Sequence, residues 1–591
     1  MTVTKLSEDV YVSPQIEVEE LQKLKASGIA SIVNNRPDEE EVGQPTMQAL
    51  AAAADGLGLE YRHIPVVPGE ITATDIQDFS AAVNTLPKPV LAFCRSGLRA
   101  ASLWALDRVR DHDPDMLIKQ CASAGYDISG LRPRLNAVRD ISRGSADSGQ
   151  DDQKIIVYDV VIVGGGAGGI AVAASLLKRR PSTSVAIVEP SETHHYQAAF
   201  TLVGGGTFLD EKTRRSEQNC IPANAHWVRA AVAGFDPEKG RILLEDGEPI
   251  GYRLLVVCPG IKLDWSRVDG LRETLGKNGV TSNYLPGLAP YTWECIQKTQ
   301  RGNALFTQPP MPIKCAGAPQ KIMYLASDYW RRTGVIDDLH VQFNSAGDVL
   351  FGVGAFVAPL MKYVEQYGID LAFGSNLVAV DGPAKKAWFD VKGEDGSVTR
   401  VVKSFDMLHV SPPQCAPDFI AESSLADDAG WVDVDPDTLR HKRFENIFGL
   451  GDACSAPNAK TAAAVRKQAP VVVQNLIAML DGKAEEAVYD GYGSCPLVVE
   501  RGKVIFAEFG YGGKLMPTFP LDPTVPRRSM WLLKNKFLPF LYWDILFKGR
   551  QWLAEPKTFR QTTVRTISEP DRTLSIPADD DGSAHKIDWS R

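Results

Sequence analysis

Residues 158–189 read YDVVIVGGGAGGIAVAASLLKRRPSTSVAIVE, and this stretch decides the fold. Tyr158 to Val163 is an apolar run of strand length. Gly164, Gly166 and Gly169 follow at G-x-G-x-x-G spacing, then the helical pattern IAVAASLLKRR. SVAIVE is a second strand ending at Glu189, 20 residues after Gly169. Glycines let the backbone turn tightly and approach a pyrophosphate, whose charge faces a helix N-terminus. A carboxylate closing the second strand accepts from ribose hydroxyls. Alone the glycine pattern says little; strand, glycines, helix, strand and acid in order predict a dinucleotide site.

Outward from this motif, LLVVCPG (254–260) and NIFGLGD (446–452) each read as a strand ending in a tight turn. Both resemble the secondary FAD motifs of flavoproteins built from two dinucleotide units. The resemblance adds Gly260 and Asp452 to the cofactor-binding residues, and Lys460 on the same loop offers a positive charge to reduced flavin or quinone. An N-cap is the plainer reading of Asp452, and a solvated side chain that of Lys460. A second unit is expected at about 300–410. There NALFTQPP (303–310) leads to a helix from about Gly317. The turn between them, PPMPIKCAGAPQK, lacks a glycine fingerprint, and LHVQFNS (339–345) ends without an acid. Prolines where a pyrophosphate should approach argue against nicotinamide binding. Cys315 sits at this turn, where helix amides and Lys314 are expected to lower its pKa. Cys454 lies two residues after Asp452, so two thiols are expected to meet at the flavin as a redox pair.

Several segments carry a close resemblance to sulfide:quinone oxidoreductases of the mitochondrial type. They are HHYQAAFTLVGGG (194–206), PIKCAGAPQKIMYL (312–325), MLHVSPP (407–413), AGWVDVD (429–435), GDACSAPNAKTAAAV (451–465) and YDGYGSCPLV (489–498). The resemblance covers about 157–555; its one departure is Ala453, inserted before the second cysteine. It implies that hydrosulfide opens a Cys315–Cys454 bridge, leaving a persulfide on Cys454 and a Cys315 thiolate at FAD. A small thiol acceptor, glutathione or sulfite, removes the sulfur, and quinone takes the electrons. Cys121, Cys220, Cys258, Cys295, Cys415 and Cys495 read as structural. No His or further Cys stands at ligand spacing, so no metal is expected.

The N-terminal region reads differently. PVLAF (89–93) is a strand, and ASLWALDRVR (101–110) a helix. In CRSGLRA between them, Cys94 and Arg99 are separated by four residues. Backbone amides, a helix start and a guanidinium would converge there on an anion beside sulfur. With SIVNNRPDEEE (31–41) and YRHIPV (61–66), this resembles the phosphatase-like, sulfurtransferase family fused to persulfide-oxidising enzymes. The resemblance implies that Cys94 accepts sulfane sulfur and Arg99 binds an anion. Asp38 and Asp75 are equal candidates for a general acid, should the domain be a phosphatase.

The chain has 591 residues, about four domains' worth at ~150 each. Its 64 basic and 73 acidic residues leave a net charge of −9, which gives no case for nucleic-acid binding. Nine cysteines, an odd and sparse number, exclude a disulfide scaffold. The expected fold class is α/β: two Rossmann-like units after a small α/β cysteine-phosphatase-like domain, then an amphipathic C-terminal region. Boundaries are expected at 1–142, a linker at 143–156 centred on RGSADSGQDDQK, the flavoprotein at 157–490, a quinone and membrane region at 491–555 and a tail at 556–591. Between 527 and 550, six basic residues and one acid interleave with aromatics. The pattern fits two short amphipathic helices, parted near Pro539, lying on an anionic membrane surface. A buried dimer contact is the other use of such a patch. The N-terminus shows neither a basic start nor an apolar block, so peripheral attachment at the cytoplasmic face is expected. Two other functions fit part of the pattern: an NAD(P)H-dependent persulfide or disulfide reductase, and a cysteine phosphatase with a flavin sensor.

Overall fold

The computed structural model describes residues 3–132 apart from 39, 42, 67–70, 72, 110 and 111, then 135 and 139, and 155–558 apart from 246 and 486. The expected linker from Arg143 to Lys154 lies outside the described residues, as does the tail after Thr558.

Near the N-terminus, five strands form one sheet in the order Thr4–Lys5, Val10–Ser13, Val90–Phe93, Ser31–Asn34, Glu60–His63. Alternation along the central strand divides the core. Val90 and Ala92 pack with Leu103 and Leu106 of the helix Leu98–Arg108, while Leu91 and Phe93 pack with Leu21 and Leu50 on the other face. This central strand therefore ends, at Cys94, on the N-terminus of a helix.

The motif at 158–189 forms the heart of a seven-stranded sheet. Val157–Val163 is flanked in parallel by Val185–Val188 and Ile250–Val257. Ala225–Val228 and Ile447–Gly449 extend the parallel part, and the helix Ala167–Arg179 covers it. The near-unbroken apolar runs read from the sequence are what a sheet buried on both faces requires. A second sheet is wholly parallel, in the order Val280–Thr281, Met407–His409, Gly302–Gln308, Leu339–Ser345, Asp370–Ala372. The helix Ala318–Thr333 packs on it, and an antiparallel hairpin, Gly493–Glu500 with Lys503–Phe509, joins the same core.

The C-terminal segment departs from expectation. Arg528 to Lys548 is helical throughout, not two helices parted at Pro539. Wider π turns at Leu533–Phe537 and Leu541–Ile545 flank the turn that holds Pro539. Proline removes one N–H from the ladder, and such turns absorb the change without ending the helix. One face is buried, with Tyr542, Trp543 and Phe547 in the core of the seven-stranded sheet's domain. Leu532, Phe540, Trp552 and Leu553 remain 61, 48, 52 and 58% exposed. Among the described residues no helix is long and apolar enough to cross a membrane.

Candidate functional site

A cavity of about 540 Å³ runs from the glycine turn, past Asp452 and Lys460, to Cys315. The C-terminal helix closes one wall with Lys534, Phe537 and Tyr542. At the turn, Gly164 has φ +103°, and a Cβ there would lie 2.7 Å from the Cys258 carbonyl oxygen. A Cβ on Gly169 would lie 1.9 Å from the Gly164 oxygen. Gly166 differs: nothing stands within 4 Å of where its side chain would be, so the bare backbone faces the cavity. That surface lets a pyrophosphate approach the amides.

Glu189 lines the same end, its carboxylate held by the Gly165 and Ser191 N–H groups, each at 2.8 Å. Burial raises its pKa against those amides, and the neighbouring Glu217 adds to the rise. Gly260 and Asp452 line the middle. Burial raises the Asp452 carboxyl, opposed by Lys460 and Lys314. Lys460 Nζ donates to the Asp452 and Cys454 carbonyl oxygens at 2.7 and 3.1 Å and lies 3.9 Å from the Trp431 ring centre. Glycine cradle, half-buried acid and half-buried lysine together fit a dinucleotide such as FAD.

The sulfur pair is not the expected one. Cys315 Sγ lies 3.8 Å from Cys495 Sγ, and both are free thiols. Cys454 instead donates its thiol to the Gly451 carbonyl at 3.3 Å, within the core behind the cavity wall. A 3-10 turn at Gly451–Ala453 leads into extended backbone at Cys454, which bridges to Val432 and turns the side chain inward. Cys495 comes from the strand Gly493–Glu500, and Gly317 makes room for it: a Cβ there would stand 2.5 Å from the sulfur. Cys315 itself adopts φ +54°, a left-handed conformation that costs a non-glycine residue on the order of 1 kcal/mol. Its N–H donates to the Lys460 carbonyl at 2.8 Å, which ties the two loops together.

The electrostatics around Cys315 also correct the sequence expectation. Lys314 points away, donating to Gln197. Burial brings its ammonium down to about 8, against Asp452 and Cys315. The cation at the thiol is Lys321, whose Nζ lies 3.0 Å from Cys315 Sγ. The Cys315 pKa is held well below the usual thiol range, first by the Cys495 thiol and then by Lys321, which outweigh burial. Cys495, donating to Cys315 and buried, is held well above that range. Burial would lower the Lys321 ammonium, yet the two facing sulfurs keep it above the ordinary lysine value. Lys534, expected on a lipid-facing flank, is buried with Nζ 2.8 Å from the Ala198 carbonyl oxygen. Burial, then Lys321, bring it down to about 8.

In the N-terminal sheet, Cys94 is fully buried at the head of its helix. Gly97 has φ +88°, and a Cβ there would meet the Tyr126 ring at 2.5 Å. Arg99 does not reach toward an empty anion seat. Its guanidinium donates to both Glu40 oxygens at 2.8 Å and to the Val66 carbonyl at 2.6 Å. Arg36 holds Glu40 from the other side at 2.5 Å. Burial would raise the Glu40 carboxyl, but Arg99 and Arg36 bring it below its ordinary value. Asp38 accepts from the Met47 N–H at 2.8 Å, as a cap does. Among the described residues no cluster of ligands suits a metal.

Sequence reasoning missed Cys495, Lys321 and Lys534. A cysteine inside an apolar strand reads as core, and a lysine read as surface charge gives no sign of the sulfur it will face.

Known proteins match the two parts separately. The family model for the phosphatase-like domain of beta-lactamase hydrolase-like proteins matches residues 2–110. Over 377 residues the chain is 42% identical to the mitochondrial sulfide:quinone oxidoreductase of Dictyostelium discoideum, covering 64% of this chain and 82% of that one. Against the mitochondrial sulfide:quinone oxidoreductase of Mus musculus it is 40% identical over 366 residues, covering 62 and 81%. Among solved structures, the sulfide:quinone oxidoreductase of Aquifex aeolicus superposes with a TM-score of 0.56 at 17% identity, over 70% of this chain and 96% of that one, a likeness of fold.

Proposed function

The chain belongs to the sulfide:quinone oxidoreductase family, and on that premise we propose that it oxidises hydrogen sulfide to protein-bound sulfane sulfur at Cys315 and Cys495, with FAD as cofactor and quinone as electron acceptor. One observation carries this reading. The two sulfurs stand 3.8 Å apart, with Lys321 Nζ 3.0 Å from Cys315, and Cys315 and Lys321 line the cavity that begins at the glycine turn.

The residues assign the roles. In the bridged state, hydrosulfide attacks Cys495 Sγ and the S–S bond breaks. Cys495 then carries –S–SH, and Cys315 leaves as thiolate. Exchange is faster when the leaving thiol has the lower pKa, and the Lys321 ammonium stabilises the thiolate at Cys315 rather than at Cys495. The persulfide therefore sits on Cys495, where Cys454 was expected. A small thiol or sulfite removes the outer sulfur, and the bridge reforms as two electrons leave. FAD, when bound, supplies the two-electron acceptor and yields those electrons to quinone. Gly164, Gly166, Gly169, Glu189, Gly260, Asp452 and Lys460 would hold it. The exposed Leu532 and Phe540 support peripheral attachment of the C-terminal helix to a bilayer, where quinone is dissolved.

Anaerobic titration tests the assignment. Sulfide is expected to bleach the flavin absorbance, and a short-chain quinone to restore it. Bleaching by NADH and not by sulfide would replace this reading with the pyridine-nucleotide reductase.

At the other end of the chain, Cys94 is proposed to take the sulfane sulfur onward, with Arg99 binding the carrier's anionic part once Glu40 yields it. In Cys94→Ser, quinone reduction should persist while sulfur transfer to a thiol acceptor falls about tenfold or more. Unchanged transfer, or loss of aryl-phosphate hydrolysis instead, would favour a phosphatase.

A further inference from the structure

Beside the glycine turn, a buried polar chain runs along the wall of the cofactor cavity to the C-terminal helix. The strand Thr193–His195 pairs with Arg214–Ser216, which places His194 next to Glu217 at the start of the following helical turn. His194 Nδ1 lies 3.2 Å from Glu217 Oε2, and both side chains are buried. On its far side, His194 Nε2 lies 2.8 Å from the Tyr542 hydroxyl, within the C-terminal helix. With Nδ1 donating to Glu217, Nε2 is free to accept from Tyr542.

The other end of the chain is open. Glu217 Oε1 is buried and has no hydrogen-bond partner. It lines the cavity and would stand 2.8 Å from a Cβ on Gly165. A buried carboxylate oxygen without a donor is costly. It would repel a phosphate but suits a hydroxyl, and Glu189 is its neighbour at the same end.

We propose that Glu217 accepts a hydroxyl of the bound dinucleotide, and that His194 and Tyr542 transmit this contact to the C-terminal helix. Cofactor retention and docking of that helix then form one coupled equilibrium. Coupling of this kind is reciprocal: what tightens one tightens the other. Glu217 is a binding residue here, and His194 and Tyr542 are positioning residues. The inference rests on FAD being the cofactor.

A double-mutant cycle on the full chain tests it, with FAD affinity read by flavin fluorescence on the apoprotein. Tyr542→Phe and Glu217→Gln are each expected to weaken FAD about tenfold, the scale of one hydrogen bond to a charged group. The double variant should lose about the same tenfold, not the roughly hundredfold product of independent sites. His194→Asn, which cuts the chain at its middle, should give the same loss and serves if Glu217→Gln does not fold. Limited proteolysis near Lys536 and Lys548 supplies a second readout. FAD should protect the wild-type helix and fail to protect Tyr542→Phe. Trp543→Phe, which alters the same aromatic cluster but not the chain, should keep both FAD affinity and protection. Singles that multiply in the double variant, or FAD protection intact in Tyr542→Phe, would overturn the coupling. A wild-type chain that does not bind FAD would remove the cofactor assignment as well, so the two failures are distinguishable.

Discussion

Cys495→Ser is expected to abolish sulfide-dependent quinone reduction, by about a thousandfold or more, because the sulfur that hydrosulfide attacks is gone. Cys315→Ser should fall as far, since no bridge can form without it. Cys454→Ser should keep activity within about a factor of two. Its thiol donates to the Gly451 carbonyl, a contact a serine hydroxyl can still make. Steady-state rates with a soluble quinone separate the three variants. Dead Cys454→Ser with active Cys495→Ser would restore the pairing that sequence adjacency suggested. The bridge itself demands little movement: the sulfurs are 3.8 Å apart, against about 2.05 Å for a disulfide.

Lys321→Met should lower the rate of sulfide oxidation by about ten- to a hundredfold, with the cause visible in the ionisation of Cys315. In the wild-type dithiol, the Cys495 hydrogen bond and the Lys321 ammonium keep Cys315 deprotonated below the usual thiol range. Methionine removes the cation but not the burial, and burial favours the neutral thiol. The pH at which Cys315 ionises therefore moves upward, because the adjacent opposite charge is lost while the burial stays. Alkylation of Cys315 in the reduced enzyme, followed against pH by mass spectrometry, should show that displacement. Superimposable profiles would mean that Lys321 does not stabilise the leaving thiolate. Methionine is the suitable replacement because it matches the length of the stem and leaves no unpaired charge behind.

How much of this was legible follows from the range of each signal. The glycine turn, its two strands and its acid are contiguous over 32 residues, and each has a local backbone reason to be there. The strand Gly302–Gln308 and the helix after Gly317 were equally readable, since period and length identify buried strands and helices. The C-terminal segment was readable as helical and amphipathic. Which face would be buried was not, and Lys534 shows why. A lysine between apolar residues looks like a membrane flank until the fold supplies the carbonyl that holds it inside. Arg99 likewise looked like an anion receptor because Glu40, 59 residues away, carries no mark that it will occupy the guanidinium.

From the sequence alone came the α/β class, the glycine turn and the place of Cys315 between a strand and a helix, because each depends on residues adjacent along the chain. The partner of Cys315 was decided only in three dimensions. Cys495 is 180 residues away, and it reaches that sulfur because a hairpin packs against the helix Ala318–Thr333 over a glycine. Cys454 is nearer in sequence to the cofactor loop, yet one extended residue turns it into the core. Backbone geometry is encoded locally; which side chains meet in a cavity is set by packing between distant elements, and the chemistry of this site belongs to the second kind.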